Sequence, residues 1–149
     1  LKKNILLNKN IKKYFINKYL YPTPCKLGPK LAKYSSSMKD ISDGLIGDLK
    51  KILKNKAGAI INLKNIPLSL NAKKIINSKI SINLQNLLNG GDDYGLIIIS
   101  NPMNRKKIEK ISLENKIKIS RIGKIIQKKG IHFDSYLNMD NFKEFDHFC

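Results

Sequence analysis

The sequence predicts a layered α/β (α+β) domain in which a mixed β-sheet packs against helices. Hydrophobic residues make up 42% of the 149 residues, a share typical of a globular protein with its own core. Stretches of continuous apolar residues, typical of strands, alternate with stretches in which apolar residues recur at helical spacing. Since no internal repeat or long linker divides the chain, we expect one domain.

The first half of the chain is predicted to hold three helices and two strands. Pro22 and Pro24 stop the first helix, because proline cannot continue a helical ladder. Ser42-Asp43-Gly44 forms a turn between a strand and the apolar stripe of the next helix. In order, these elements are a helix over 4–20, a short helix over 29–36, a strand from 38, a helix from 45 to about 57, and a buried strand over 59–63.

The second half continues the alternation. Gly90 and Gly91 end a short helix, and Lys129-Gly130 separates the last two strands. In order, these elements are a helix over 82–88, a strand over 94–100, a helix over 103–114, and strands over 117–126 and 130–136.

The charge is strongly positive, but its composition argues against a dedicated nucleic-acid surface. The formal net charge is +18, and all of the 29 basic residues except Arg105 and Arg121 are lysines. They are dispersed among Asn and Ile, as AT-rich codons would produce, whereas nucleic-acid surfaces cluster their charge and use the arginine fork. A lysine-rich nucleic-acid-binding module therefore stays an alternative, and not the leading prediction.

Cysteines and apolar runs indicate a soluble, cytoplasmic protein. Cys25 and Cys149 match no disulfide framework and no zinc-ligand spacing. No run approaches the roughly 18 apolar residues of a membrane helix, and charged residues interrupt the first twenty positions where a signal peptide would lie. Because the chain begins with Leu1, we expect an upstream segment.

Acidic residues gather in two places. Asp40, Asp43 and Asp48 surround the turn, while Asp92 and Asp93 follow the double glycine. Two carboxylates about 4 Å apart repel by roughly 4 kcal/mol at an effective dielectric near 20, unless one takes a proton or a cation neutralises them. The cation could be Lys39 or Lys50. It could equally be Mg²⁺, which binds one or two carboxylates together with substrate phosphates.

The turn itself has two interpretations. A helix that begins there directs unpaired N–H groups towards an anion, and Ser42 could cap this helix or contact a phosphate. Alternatively, Ser42-Asp43-Gly44 is an N-cap and a turn, and Gly90-Gly91 is a helix C-cap, without further function. His132 and His147 lie outside both segments, and no nucleophilic constellation is evident.

Five motifs follow one another along the chain. They are Tyr19-Leu20-Tyr21-Pro22-Thr23-Pro24, Asp40-Ile41-Ser42-Asp43-Gly44-Leu45 with Asp48-Leu49, Asn89-Gly90-Gly91-Asp92-Asp93-Tyr94, Arg121-Ile122-Gly123, and Phe145-Asp146-His147-Phe148. Together they resemble the motifs of the thiamine-monophosphate kinase family. The order and spacing agree from about residue 16 to 149, and the related aminoimidazole-ribotide and selenophosphate synthetases typically lack the terminal D-H-F.

The resemblance implies roles for five residues. Asp40 and Asp43 would contact Mg²⁺, and Ser42 would contact ATP, the co-substrate. Asp92 and Phe145 would face thiamine monophosphate, with the ring of Phe145 against the cationic thiazolium. Transfer of the γ-phosphoryl group needs positioning and charge neutralisation far more than a base, so no catalytic residue is assigned.

The resemblance also implies a domain organisation. Residues 1–149 would form the C-terminal domain of the aminoimidazole-ribotide synthetase-like architecture, with a helical lead-in over 1–21 and a core over 22–149. The family's N-terminal domain is absent, so the chain alone should be inactive, and the full-length enzyme should be a homodimer. Another enzyme of that superfamily is a further alternative. The sequence departs from the family at Tyr21, Cys25, Lys39 and Gly95, of which Lys39 is expected to pair with a carboxylate or to reach the surface.

Overall fold

Two small sheets and the helices around them make up the part of the chain that the structure describes. The computed structural model describes residues 8–78, 84–90 and 95–134. The strands are β1 (Ser37–Asp40), β2 (Gly58–Ile61), β3 (Leu96–Ile99), β4 (Gly123–Ile126) and β5 (Gly130–Phe133). The helices are α1 (Lys9–Leu20), α2 (Gly28–Ala32), α3 (Leu45–Leu53), α4 (Leu70–Ile76), α5 (Leu84–Leu88) and α6 (Arg105–Glu114), with 3₁₀ turns at Leu63–Asn65 and Pro102–Asn104.

The first sheet is an antiparallel pair of β1 and β3. Ser37 lies opposite Ile99 and Asp40 opposite Leu96. One further hydrogen bond, from the Ile41 N–H to the Gly95 carbonyl oxygen at 2.9 Å, extends the ladder beyond the last paired residues. The end of β1 is therefore held beside the beginning of β3.

The second sheet has β2 at its centre. β4 pairs with β2 antiparallel and β5 pairs with it parallel, so the sheet is mixed, as predicted. Gly123 allows β4 to approach closely, because a Cβ atom there would overlap the carbonyl oxygen of Ile60.

The core forms where α3 packs between the sheets. Ile46 and Leu49 of α3 are 2% and 4% exposed, and they share a cluster with Ile61 of β2, Ile97 of β3 and Ile131 of β5. Complete burial of one such side chain contributes about 1.5–3 kcal/mol. The apolar stripe read from the sequence is thus the buried face of α3, and its burial anchors the turn that precedes the helix.

The predicted fold class is confirmed, whereas several element boundaries differ. α4 is absent from the sequence prediction because Leu70 is exposed and only Ala72 and Ile75 are buried, which leaves too few inward positions for a periodic signal. Its sequence signal is Ser69, whose hydroxyl oxygen accepts the Ala72 N–H at 3.1 Å as an N-cap.

The predicted strand over 117–126 is also too long. Only Gly123–Ile126 pairs with the four residues of β2, and one further hydrogen bond, from the Asn62 N–H to the Ile122 carbonyl oxygen at 2.7 Å, precedes β4. The helix predicted from residue 45 to about 57 ends at Leu53, since Lys54 takes a left-handed conformation with φ of 48°.

Candidate functional site

The segment Asp40–Gly44, which begins at the last residue of β1 and ends at the N-cap of α3, is called the turn. Gly44 has φ of +85°, and a Cβ atom there would lie 2.8 Å from the carbonyl oxygen of Leu88 and from the carbonyl carbon of Asn89. Only glycine combines this left-handed conformation with such a close approach. The turn therefore packs directly against the end of α5.

Asp48, near the start of α3, binds the backbone of the Asp40–Gly44 turn from its buried side. Its side chain is fully buried, and its Oδ2 accepts the N–H groups of Ser42 at 2.7 Å and Asp43 at 2.9 Å. These two N–H groups are therefore committed to a carboxylate of the protein. The cap interpretation of Ser42 is wrong, because the N-cap residue is Gly44 and no side chain caps the helix.

Two lysines form ion pairs with the aspartates around the turn. Lys39 Nζ lies 3.3 Å from Asp48 Oδ1 and 4.0 Å from Asp40 Oδ1. Lys51 Nζ pairs with Asp43 Oδ2 and lies 3.9 Å from Asp48 Oδ1. The expectation that Lys39 pairs with a carboxylate is confirmed, and Lys51 is a second cation at these carboxylates.

The interaction at Asp48 Oδ1 is an ion pair and not a hydrogen bond. This buried atom has no hydrogen-bond partner in the described structure, although both ammonium groups lie within ion-pair distance. We attribute its stabilisation to charge, because Coulomb attraction persists where the directional requirements of a hydrogen bond are not met.

The three aspartates differ in exposure and therefore in what they can bind. The side chain of Asp40 is 68% exposed and that of Asp43 is 21% exposed, whereas Asp48 is closed to solvent. Asp40 and Asp43 can thus reach a ligand from solution. Within the described ranges, no group of three or more His, Cys, Asp or Glu residues is arranged to hold a metal ion.

This donor set fits Mg²⁺ in one particular way. Mg²⁺ is commonly held by one or two carboxylates, with waters and substrate phosphates in its remaining positions, and not by an all-protein cage. Asp40 and Asp43 on one turn meet that requirement. Asp48 does not belong to the donor set, because its oxygens face the backbone and the two lysines.

The structure brings together three of the five residues singled out in the sequence. Asp40, Ser42 and Asp43 share the turn, whereas Asp92 and Phe145 lie outside the described residues. The residues that flank the stretch containing Asp92 do contact the turn: Asn89 lies against Gly44, and Gly95 accepts the Ile41 N–H.

The roles of Asp48 and Lys51 were not predicted from the sequence. A signal for Asp48 was present, because it lies three residues after Leu45 and four before Ile52, on the inward side of the apolar stripe. Lys51 had no comparable signal, since a lysine three residues after an aspartate is common on exposed helices.

Two surface cavities lie away from this turn. One, of about 380 Å³, is lined by Tyr14, Asn17, Lys18 and Tyr21. The other, of about 370 Å³, contains four basic side chains. Neither includes Asp40, Ser42 or Asp43, so we place the candidate site on chemistry and not on cavity size. The four basic residues are Lys64, Lys73, Lys118 and Arg121.

Among the described helices, none has the length and apolar character required to cross a membrane.

Comparison with known proteins confirms the family resemblance. The model of the family described as AIR synthase related protein, C-terminal domain, matches residues 12–134. The chain is 40% identical over 154 residues to the thiamine-monophosphate kinase of Buchnera aphidicola subsp. Schizaphis graminum (strain Sg), covering 99% of this chain and 46% of that protein. It thus spans about half the length of that relative.

Solved structures share the fold. The thiamine-monophosphate kinase of Stenotrophomonas maltophilia K279a superposes with a TM-score of 0.73 at 25% identity, covering 86% of this chain and 40% of that one. The structure of AaThiL complexed with AMPPCP and TMP superposes with a TM-score of 0.74 at 23% identity, covering 96% of this chain and 44% of that one.

Proposed function

Because the chain belongs to the family of AIR synthase related proteins, C-terminal domain, we propose that it supplies one side of the active site of a thiamine-monophosphate kinase. The 40% identity to such a kinase, over 99% of this chain, supports the proposal. We assign residues 1–21 to a lead-in and 22–149 to the core of a C-terminal domain. Since the chain spans 46% of that relative, the activity would belong to a longer protein, a homodimer in the cytoplasm.

The observation that carries the proposal is the placement of Asp40, Ser42 and Asp43 on one turn. Asp40 is largely exposed, and the backbone of Ser42 and Asp43 is tied to a buried carboxylate. Asp40 and Asp43 would hold Mg²⁺, whose charge would offset that of the ATP phosphates when it is bound. Ser42 would donate its hydroxyl to a phosphate oxygen of ATP.

The reaction that this site would serve is phosphoryl transfer between two phosphates. An oxygen of thiamine monophosphate would form a bond to the γ-phosphorus of ATP while the bond to ADP breaks, giving thiamine diphosphate. A phosphate monoester has its second pKa near 6 and is largely ionised at neutral pH. The acceptor therefore needs no general base, which agrees with the carboxylates and the serine that the described part of the site contains.

Asp92 and Phe145 are proposed to contact thiamine monophosphate, the acceptor. Both assignments follow from the family motifs. The contacts of Asn89 and Gly95 with the turn support the assignment of Asp92, because these residues flank its stretch in sequence.

The test is a kinase assay on the longest native protein that contains this sequence. ATP-dependent conversion of thiamine monophosphate to the diphosphate is measured for the wild type and for Asp43→Asn. We expect the variant to lose at least about a hundredfold in kcat, as is typical when one electrostatic group of a site is removed. Glu114→Gln is a control, because Glu114 is exposed and pairs with Lys110, one turn away on the same helix. Unchanged turnover in Asp43→Asn would contradict the metal assignment.

A further inference from the structure

Asp48 differs from its acidic neighbours in being closed to solvent while its side chain contacts the backbone of Ser42 and Asp43 and two lysines. Asp48 is fully buried. Because a carboxylate is rarely buried without partners, its contacts require an explanation. Its two oxygens have separate partners. Oδ2 binds the backbone of the turn, and Oδ1 lies near the two lysines that pair with Asp40 and Asp43.

Oδ2 determines the backbone of the turn. It accepts the N–H groups of Ser42 and Asp43 at 2.7 and 2.9 Å, so both peptide units are oriented by one anionic acceptor. Hydrogen bonds to a charged group are stronger than those between neutral groups. The directions in which Ser42 and Asp43 leave the backbone therefore depend on Asp48.

Oδ1 attracts the ammonium groups of the two lysines and so influences their positions. It lies 3.3 Å from Lys39 Nζ and 3.9 Å from Lys51 Nζ, and the same two ammonium groups contact Asp40 and Asp43. The contacts among the described residues join three carboxylates to two ammonium groups. Asp48 shares both lysines with the outer aspartates, so these aspartates do not hold the lysines alone.

We propose that Asp48 is a positioning residue of the cation site: it sets the affinity of Asp40 and Asp43 for a divalent cation without touching the cation. The inference rests on the proposed function for the identity of the ligand. Removal of Asp48 would have two effects of the same sign. The turn would lose its anchor, and Lys39 and Lys51 would turn wholly to Asp40 and Asp43, where they compete with the cation.

A merely structural role would give a different result. If Asp48 only stabilised the domain, then any core substitution of similar cost would affect cation binding equally. Leu53→Ala is the matched control, because Leu53 is 7% exposed and lies at the far end of the same helix. Glu114→Gln controls for the loss of one negative charge at a distance from the turn.

The experiment is a calorimetric titration with Mn²⁺, without nucleotide, of the longest native protein that contains this sequence. Asp48→Ala should weaken Mn²⁺ binding about 10- to 100-fold, the range found for partners that orient metal ligands. Asp48→Asn should fall between that variant and the wild type, because its amide oxygen can still accept the two N–H groups. Leu53→Ala and Glu114→Gln should stay within about twofold of the wild type.

Amide hydrogen exchange at Ser42 and Asp43 gives a second readout that requires no ligand. Both amides should exchange faster in Asp48→Ala than in Leu53→Ala when the two variants are compared under conditions that give them the same free energy of unfolding. If Asp48→Ala does not fold, the comparison of Asp48→Asn with Glu114→Gln decides the question.

The outcomes separate the inference from the proposed function. Wild-type protein that binds Mn²⁺ while both Asp48 variants match their controls would overturn the positioning role and leave the kinase proposal standing. Wild-type protein that does not bind Mn²⁺ would overturn the cation site and the inference with it, whatever the exchange data show.

Discussion

The ammonium group of Lys51 is paired with the carboxylate of Asp43 at the turn between β1 and α3. Lys51 therefore stands where a divalent cation bound to Asp43 would require space and positive charge of its own. Because the ammonium group and a metal ion would bind the same carboxylate oxygens of Asp43, the lysine and the metal would compete.

We expect Lys51→Met to bind Mn²⁺ more tightly, by roughly threefold to tenfold. The estimate starts from the repulsion of like charges about 4 Å apart, and it is reduced because the Lys51 side chain is 56% exposed and solvent screens exposed charges. Titration calorimetry measures the affinity, and Lys56→Met is the control because it removes the same charge from an exposed turn. Equal affinities in the two variants would show that Lys51 does not compete.

Gly44→Ala should destabilise the protein, whereas Gly47→Ala should not. A Cβ atom at Gly44 would meet Leu88 and Asn89 at 2.8 Å in a left-handed conformation, while one at Gly47 has ordinary contact with Asp43 Cβ at 3.5 Å. We expect a loss of about 1–3 kcal/mol or more in the free energy of unfolding for Gly44→Ala. The helical Gly47→Ala should gain up to about 1 kcal/mol. Urea denaturation measures both, and equal midpoints would contradict the packing of the turn against α5.

Lys39→Met should also lower stability, through Asp48. Lys39 approaches Asp48 more closely than Lys51 does, 3.3 against 3.9 Å, and its loss leaves a buried carboxylate with one weaker counter-ion. Breaking a buried pair costs about 3–5 kcal/mol, and because Lys39 is partly exposed we expect about 1–3 kcal/mol. Urea denaturation is again the measurement, with the exposed Lys124→Met of β4 as control. A loss no larger than that of the control would mean that Lys51 alone suffices.

Phe145→Leu should raise the KM for thiamine monophosphate about tenfold and leave the KM for ATP within about twofold. A cation over an aromatic face contributes up to about 2 kcal/mol when desolvated, and leucine keeps the apolar bulk without the ring. Steady-state kinetics on the longest native protein gives both constants. An equal rise in both would assign Phe145 to general support of the site and not to the acceptor.

The sequence by itself predicted the α/β class, the strand–turn–helix unit around Gly44, and the family through five motifs in order. These features are local: a helical stripe, a proline stop or a motif is legible within a few neighbouring positions. For the same reason, the face of α3 that carries Leu45, Leu49 and Asp48 could be read without coordinates.

Only the tertiary structure decided which cations meet the aspartates and what supports the turn. Lys39 reaches Asp48 from a different element, and Gly44 meets Asn89 from 45 positions away in the chain. Such contacts depend on how strands and helices pack and on long lysine side chains whose direction no local pattern specifies. The pairing of β4 was likewise decided by its partner β2, because a strand pairs only where a neighbour offers hydrogen bonds.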